Sequence, residues 1–212
     1  MLYEKNIREE ICHTGHSLHR RGFTVGSSGN ISARLDDGWL ITPTDSCLGS
    51  LTPESIAKVT LDGKWVNGGK PSKTLALHKS IYENNDDING VVHTHSSHLV
   101  AMTLDKVWRA DAILPPITPY QVMKVGRIPL INYCRPGAPA VAVQAAKLAV
   151  HVKGIMLERL GPVIWGASVT KAAEILEELE ETAKLWLMTS PKPEPLAESA
   201  LQELFETFNC RW

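Results

Sequence analysis

Apolar positions along this chain switch between the helical period and the strand period, and the switches mark its elements. In residues 4–21 (EKNIREEICHTGHSLHRR), Ile7, Ile11 and Leu18 fall at helical spacing and Gly22 follows as a stop, which predicts an amphipathic helix. A Gly/Ser loop, TVGSSGNIS, leads into a strand around 31–35. Asp36-Asp37-Gly38 is a hairpin turn signal, and Trp39-Leu40-Ile41 is a second strand. Thr52 with Pro53 and Glu54 carries the signature of a helix start. Residues 56–60 and 64–66 flank Asp62-Gly63 as strand, turn and strand, and Pro71-Ser72 opens a helix over 72–84.

The second half continues in the same way. Ile88 to His95 (INGVVHTH) reads as a buried strand ending in histidines, and 96–103 as a short helix. The segment 112–119 is a Pro-rich loop, IPLINY is a strand before an RPG turn, and 138–150 is an Ala-rich helix. GIMLERLG and PVIWG are two short strands or one bent strand. The longest helix covers 168–189 with Ser168 as its cap; PKPEPL links it to a terminal helix over 196–208. Strands and helices alternate without a βαβ rhythm. The expected architecture is therefore one domain over 1–212, α/β in class, with a mixed or mostly antiparallel sheet and helices on its faces.

Composition narrows the function classes. The formal charge is −1, so no global basic field exists for nucleic acid or an anionic membrane, although a small anion can still be held locally. No apolar run is long enough to span a bilayer, and the charged start MLYEKNIREE does not read as a signal peptide. The four cysteines, Cys12, Cys47, Cys134 and Cys210, form no Cys-x-x-Cys pair, and reduced cysteines in a cytoplasm are the expectation.

Four segments carry candidate chemistry. His93 and His95 are two apart, so in a strand both imidazoles face the same way and can converge on a divalent transition metal. Two ligands do not make a zinc site, which takes at least three protein groups. Gly26-Ser27-Ser28-Gly29-Asn30 is a turn whose backbone N–H groups suit an oxyanion. Thr42-Pro43-Thr44-Asp45-Ser46 concentrates hydroxyls, and Lys70-Pro71-Ser72-Lys73-Thr74 places hydroxyls and cations at a helix start. By contrast, His13, His16 and His19 on the first helix, and the run Glu177-Glu178-Glu180-Glu181 on the longest one, read as solvated faces.

The order GSSGNIS, ITPTDS, KPSKT…LH, VVHTHS, TPYQVMKVG and EELEETAKLWL resembles the class II aldolase/adducin family from about residue 8 to 189. Within that family, PSK, HTHS, TPY–VMKVG, YxRPG and EELEETAKL resemble the 3-oxo-tetronate 4-phosphate decarboxylase branch. The resemblance implies a three-layer α/β/α domain, assembled as a homotetramer with active sites between subunits. It implies that Asn30, Thr44 and Ser72 bind a substrate phosphate with Ser28 and Lys73 close by, and that His93 and His95 ligate Zn2+ or another divalent metal such as Mn2+. It also implies that Tyr120 reaches the reaction centre across the subunit interface as a proton donor. The partner is a small phosphorylated sugar acid, and nucleic acid and membrane are not expected.

Three positions depart from the family pattern. Thr74 stands where the family has an acid/base glutamate, Leu160 where the third zinc histidine lies in an Asn-His-Gly motif, and Asp45 where aldolases have glycine. Thr74 beside a water, or Tyr120, is left to handle protons. His78, His98 and Glu158 are the candidates for a third ligand, and Arg135 for the substrate carboxylate. Aldol cleavage needs a base to take a hydroxyl proton. A β-keto acid arrives already as a carboxylate, so losing the glutamate damages an aldolase more than a decarboxylase. The expected activity is release of CO2 and dihydroxyacetone phosphate. A sugar-phosphate aldolase or epimerase, or an adducin-like domain without catalysis, is the alternative.

Overall fold

A computed structural model describes residues 2–212. The strands are β1 (Asn30–Leu35), β2 (Gly38–Ile41), β3 (Ala57–Thr60), β4 (Trp65–Asn67), β5 (Gly90–His93), β6 (Leu130–Ile131), β7 (Gly154–Leu157) and β8 (Gly161–Gly166). They form one sheet in the order β4-β3-β2-β1-β5-β8-β7-β6. Its neighbours are antiparallel except β6 and β7, which run parallel. The helices are α1 (Leu2–Arg20), α2 (Leu75–Tyr82), α3 (Ser97–Met102), α4 (Pro139–Leu148), α5 (Val169–Met188) and α6 (Glu198–Phe208).

Strand alternation sorts the sheet into two apolar faces. Ile31, Ala33, Val92 and Ile164 point to one side, against Ile7, Ile11 and Leu18 of α1, Leu99 and Met102 of α3, and Leu176 and Leu179 of α5. Val91, Ile155, Val163 and Trp165 point to the other, against Ile81 and Tyr82 of α2 and Val141 and Ala145 of α4. The result is the expected three-layer α/β/α domain with a mostly antiparallel sheet.

Several boundaries differ from the sequence expectation for local reasons. Thr52-Pro53-Glu54 opens only a 3-10 turn, Pro53–Ser55, closed by a Thr52/Ser55 capping box. The helix expected from residue 72 begins at Leu75, because residues 70–72 pair with 42–44 instead. β5 stops at His93, so His95 lies beyond the strand. A π-helical turn, Gln121–Val125, lies in a segment where no element was expected.

One acidic position corrects the solvated-face reading. Glu180 is buried, and its carboxylate accepts from the backbone N–H groups of His98 and Leu99, each at 3.0 Å, and pairs with His98 Nδ1 at 2.8 Å. Ser96, at the α3 N-cap, makes no side-chain cap bond, so Glu180 of α5 performs that role across the layer. Glu180→Ala strands the buried Leu99 N–H and the part-buried His98 N–H and is expected to lower stability by about 3 kcal/mol. Thermal unfolding checks this, with Glu180→Gln losing less because it keeps one acceptor.

Candidate active site

The site is assembled at one corner of the sheet, on the α2–α4 side. Asn30, the first residue of β1, is the register partner of His93, the last of β5. Paired residues across antiparallel strands project to the same face, so the carboxamide and the imidazole are neighbours by construction. Thr42 then ties the next segment in. Its N–H donates to Ile31 O (2.9 Å), and its Oγ1 accepts from Ile31 N (3.1 Å). Beyond it, Thr44 N donates to Lys70 O (2.8 Å) and Ser72 N donates to Thr42 O (3.2 Å). Two stretches nearly thirty residues apart thus bring Thr44 and Ser72 together below the N-terminus of α2. In the sequence Thr42 is one hydroxyl of the Thr42–Ser46 segment; in the fold it is the one that ties that segment to β1.

The other phosphate-type residues are placed unequally. Ser28 closes its own loop: its Oγ donates to Val25 O (2.6 Å) and pairs with Thr24 Oγ1 (2.9 Å). It shapes the turn that sets Asn30 rather than presenting a free hydroxyl. Gly29 holds that turn against the histidine strand with φ +83; a Cβ there would lie 2.7 Å from His93 O. Lys73 is exposed and lies 3.7 Å from the Asp45 carboxylate, a weak surface pair that sets a positive charge beside Asp45. Thr74 is the α2 N-cap residue, and its Oγ1 hydrogen-bonds Ser72 Oγ at 2.9 Å.

His93 and His95 converge even though only the first is in the strand. Their ring centroids are 5.1 Å apart in an edge-to-face arrangement. His93 Nδ1 hydrogen-bonds Pro162 O at 2.8 Å, which fixes the tautomer and leaves Nε2 as a lone-pair donor. Burial, and the proximity of His95, push the His93 pKa down to about 4, so this imidazole is neutral at physiological pH. The Pro162 carbonyl is a backbone atom on the neighbouring strand, and no residue pattern announces it.

None of the remaining ligand candidates completes a metal-holding group of three with the pair. His78 is fully buried, with Nδ1 2.7 Å from Ser32 Oγ, which in turn meets Tyr82 OH at 2.7 Å. Burial pushes its pKa to about 3, and its Nε2 has no partner. His98 is engaged by Glu180, and Glu158 accepts from Tyr133 N at 2.7 Å. Leu160 packs against the α2–α4 core instead, in the tight turn between β7 and β8. Among the described residues no group of three or more His, Cys, Asp or Glu side chains is placed to hold a metal ion. The donor set of this chain therefore does not fit a resident zinc, and the expected three-ligand site is incomplete at Leu160.

Tyr120 is also away from the corner. It is exposed just before the π-helical turn, bordering a surface hollow with Lys124, Lys153, Lys171 and Glu178. Lys171 belongs to α5, which covers the opposite face of the sheet from His93. Within one chain, Tyr120 and the histidines do not share a site. Arg135 is exposed in the loop after β6.

Residues 9–187 match the family described as Class II Aldolase and Adducin N-terminal domain. A protein of Cupriavidus necator named 3-oxo-tetronate 4-phosphate decarboxylase is 61% identical, over 100% of both chains. A protein of the same name from Pectobacterium atrosepticum is 46% identical over 86% of this chain and 84% of its own. The crystal structure of YgbL, a putative aldolase/epimerase/decarboxylase from Escherichia coli, superposes with a TM-score of 0.91 at 39% identity, covering 95% of this chain and 99% of its own.

Proposed function

This chain belongs to the class II aldolase and adducin family, and we propose that within it the chain is a carboxy-lyase acting on a phosphorylated sugar acid, 3-oxo-tetronate 4-phosphate. The observation that carries the reading is the end-to-end 61% identity with a decarboxylase of that substrate, joined to a corner where Asn30, Thr44 and Ser72 converge beside a histidine pair.

In this reading the phosphate is bound by Asn30, Thr44, Ser72 and Lys73, at the positive end of α2. Anchoring one end places the keto acid against His93 and His95. The carbon–carbon bond to the carboxylate breaks, CO2 leaves, and the electron pair forms an enediolate. Proton delivery to the former α-carbon gives dihydroxyacetone phosphate. No base is needed to start, which suits a site with Thr74 in place of a carboxylate. In this reading Tyr120 is the proton donor and acts in a neighbouring subunit's site, a role its exposure on the far face supports. A homotetramer with sites between subunits belongs to this reading, as does a cytoplasmic setting. Among the described residues no helix is long and apolar enough to cross a membrane. A divalent metal, zinc or manganese, is what the family resemblance adds; His93 and His95 are the residues that would contact it.

The test is direct. Purified protein with added divalent metal and 3-oxo-tetronate 4-phosphate is expected to release CO2 and dihydroxyacetone phosphate in equal amounts. Release of neither, with the substrate still bound, would leave a binding domain of the adducin kind. Aldehyde release from a ketose 1-phosphate would mark an aldolase.

A further inference from the structure

We infer that the histidine corner of this chain does not retain a divalent metal by itself, and that Leu160 is the residue that leaves it open. The inference rests on the family reading of His93 and His95 as ligand-type histidines, and it concerns metal occupancy rather than substrate.

Three observations carry it. First, the pair suits ligation: the Nδ1 of His93 is committed to Pro162 O, and the two rings lie edge to face with centroids 5.1 Å apart. Second, the turn that should complete the set is pressed against the pair. Gly161 lies so close that a Cβ on it would be 2.0 Å from Thr94 O and 3.2 Å from His95 Cα. The residue immediately before Gly161 is Leu160, whose hydrocarbon side chain has no lone pair. Third, the polar side chains nearby do not substitute. Two buried polar atoms, Asn30 Oδ1 and His78 Nε2, are without partners, yet among the described residues no third His, Cys, Asp or Glu side chain is placed with His93 and His95 to hold an ion.

Two imidazoles leave at least half of a tetrahedral ion's coordination to water, and such an ion exchanges freely. A third imidazole at the turn closes the set. The position is half-buried beside the α2–α4 core, so it is not sealed against a polar side chain.

The experiment reads metal directly. Wild-type protein is expressed with added zinc, purified without chelator, desalted and analysed for bound metal, then titrated with Co2+ and Zn2+. The expected result is well below one zinc per chain. Leu160→His is expected to hold one ion per chain at least about 100-fold more tightly, the upper end of what even an outer hydrogen-bond partner is worth to a metal site. The gain should vanish in Leu160→His/His93→Ala, and Leu160→Met should show none. One tightly held ion per wild-type chain, lost in His93→Ala, would overturn the inference; so would a folded Leu160→His protein without a gain. If Leu160→His does not fold, the wild-type occupancy alone decides. None of these readouts uses turnover, so failure of the decarboxylase reading and failure of this one are separable.

Discussion

Gly161→Ala is expected to be the most destabilising single-methyl change at this corner, lowering stability by roughly 4 kcal/mol or more. Gly161 starts β8 with φ +143, in the region that L side chains rarely adopt, and a Cβ would sit 2.0 Å from the Thr94 carbonyl oxygen. The obstacle is backbone, so no side-chain rotation relieves it. Either β8 peels from β5 at its first residues or the 94–95 turn is pushed outward. The first breaks the pairing that carries His93↔Val163; the second separates His95 from His93. Thermal unfolding should show a midpoint lower by roughly 8–16 °C for a chain of this size. A fall of only a degree or two would mean that the turn relaxes more easily than its contacts imply.

The fold was legible where burial and period agree. The β1–β2 hairpin follows from Asp36-Asp37-Gly38 between alternating apolar residues, and α5 from a long helical stripe whose Ser168 cap accepts from Lys171 N. Legibility failed where a tertiary contact overrode local preference. Pro71-Ser72 has a helix-start signature, yet Ser72 N is already committed to Thr42 O, so α2 waits until Leu75. Glu180 sits among glutamates that face water, and only the arrival of the α3 N-terminus makes it a buried cap. The π-helical turn has no period of its own to be read.

The site divides on the same line. Register sets Asn30 beside His93, and backbone hydrogen bonds bring the Thr44 and Ser72 segments together, which motif order alone does not reveal. Ser28 matched a motif but spends its hydroxyl within its own loop. Tyr120 matched a motif too, but it lies exposed beside the π-helical turn, away from the histidine pair. Leu160 was legible as a departure, but its consequence depends on Gly161 pressing the turn against His95, which is visible only in three dimensions.

Asn30→Asp is expected to reduce kcat/KM by about 1,000-fold, with some loss of stability from burying a carboxylate, so that activity is read on folded protein. The substitution keeps the shape of the side chain, at a buried strand end next to His93, and changes only its chemistry. The amide loses its two donor hydrogens and the position gains a negative charge. With a substrate phosphate about 4 Å away, in surroundings of effective dielectric about 20, one added unit of repulsion is worth about 4 kcal/mol. That energy corresponds to about three powers of ten. If the phosphate contact is equally strong in ground and transition states, the loss falls chiefly on KM. Dihydroxyacetone phosphate binding, measured by calorimetry, should weaken in parallel, whereas Asn30→Ala, which removes donors without adding charge, should lose less. Equal losses in Asn30→Asp and Asn30→Ala would show that the carboxamide does not face the phosphate. An unchanged KM with a reduced kcat would instead place Asn30 at the reacting carbons, beside its register partner His93.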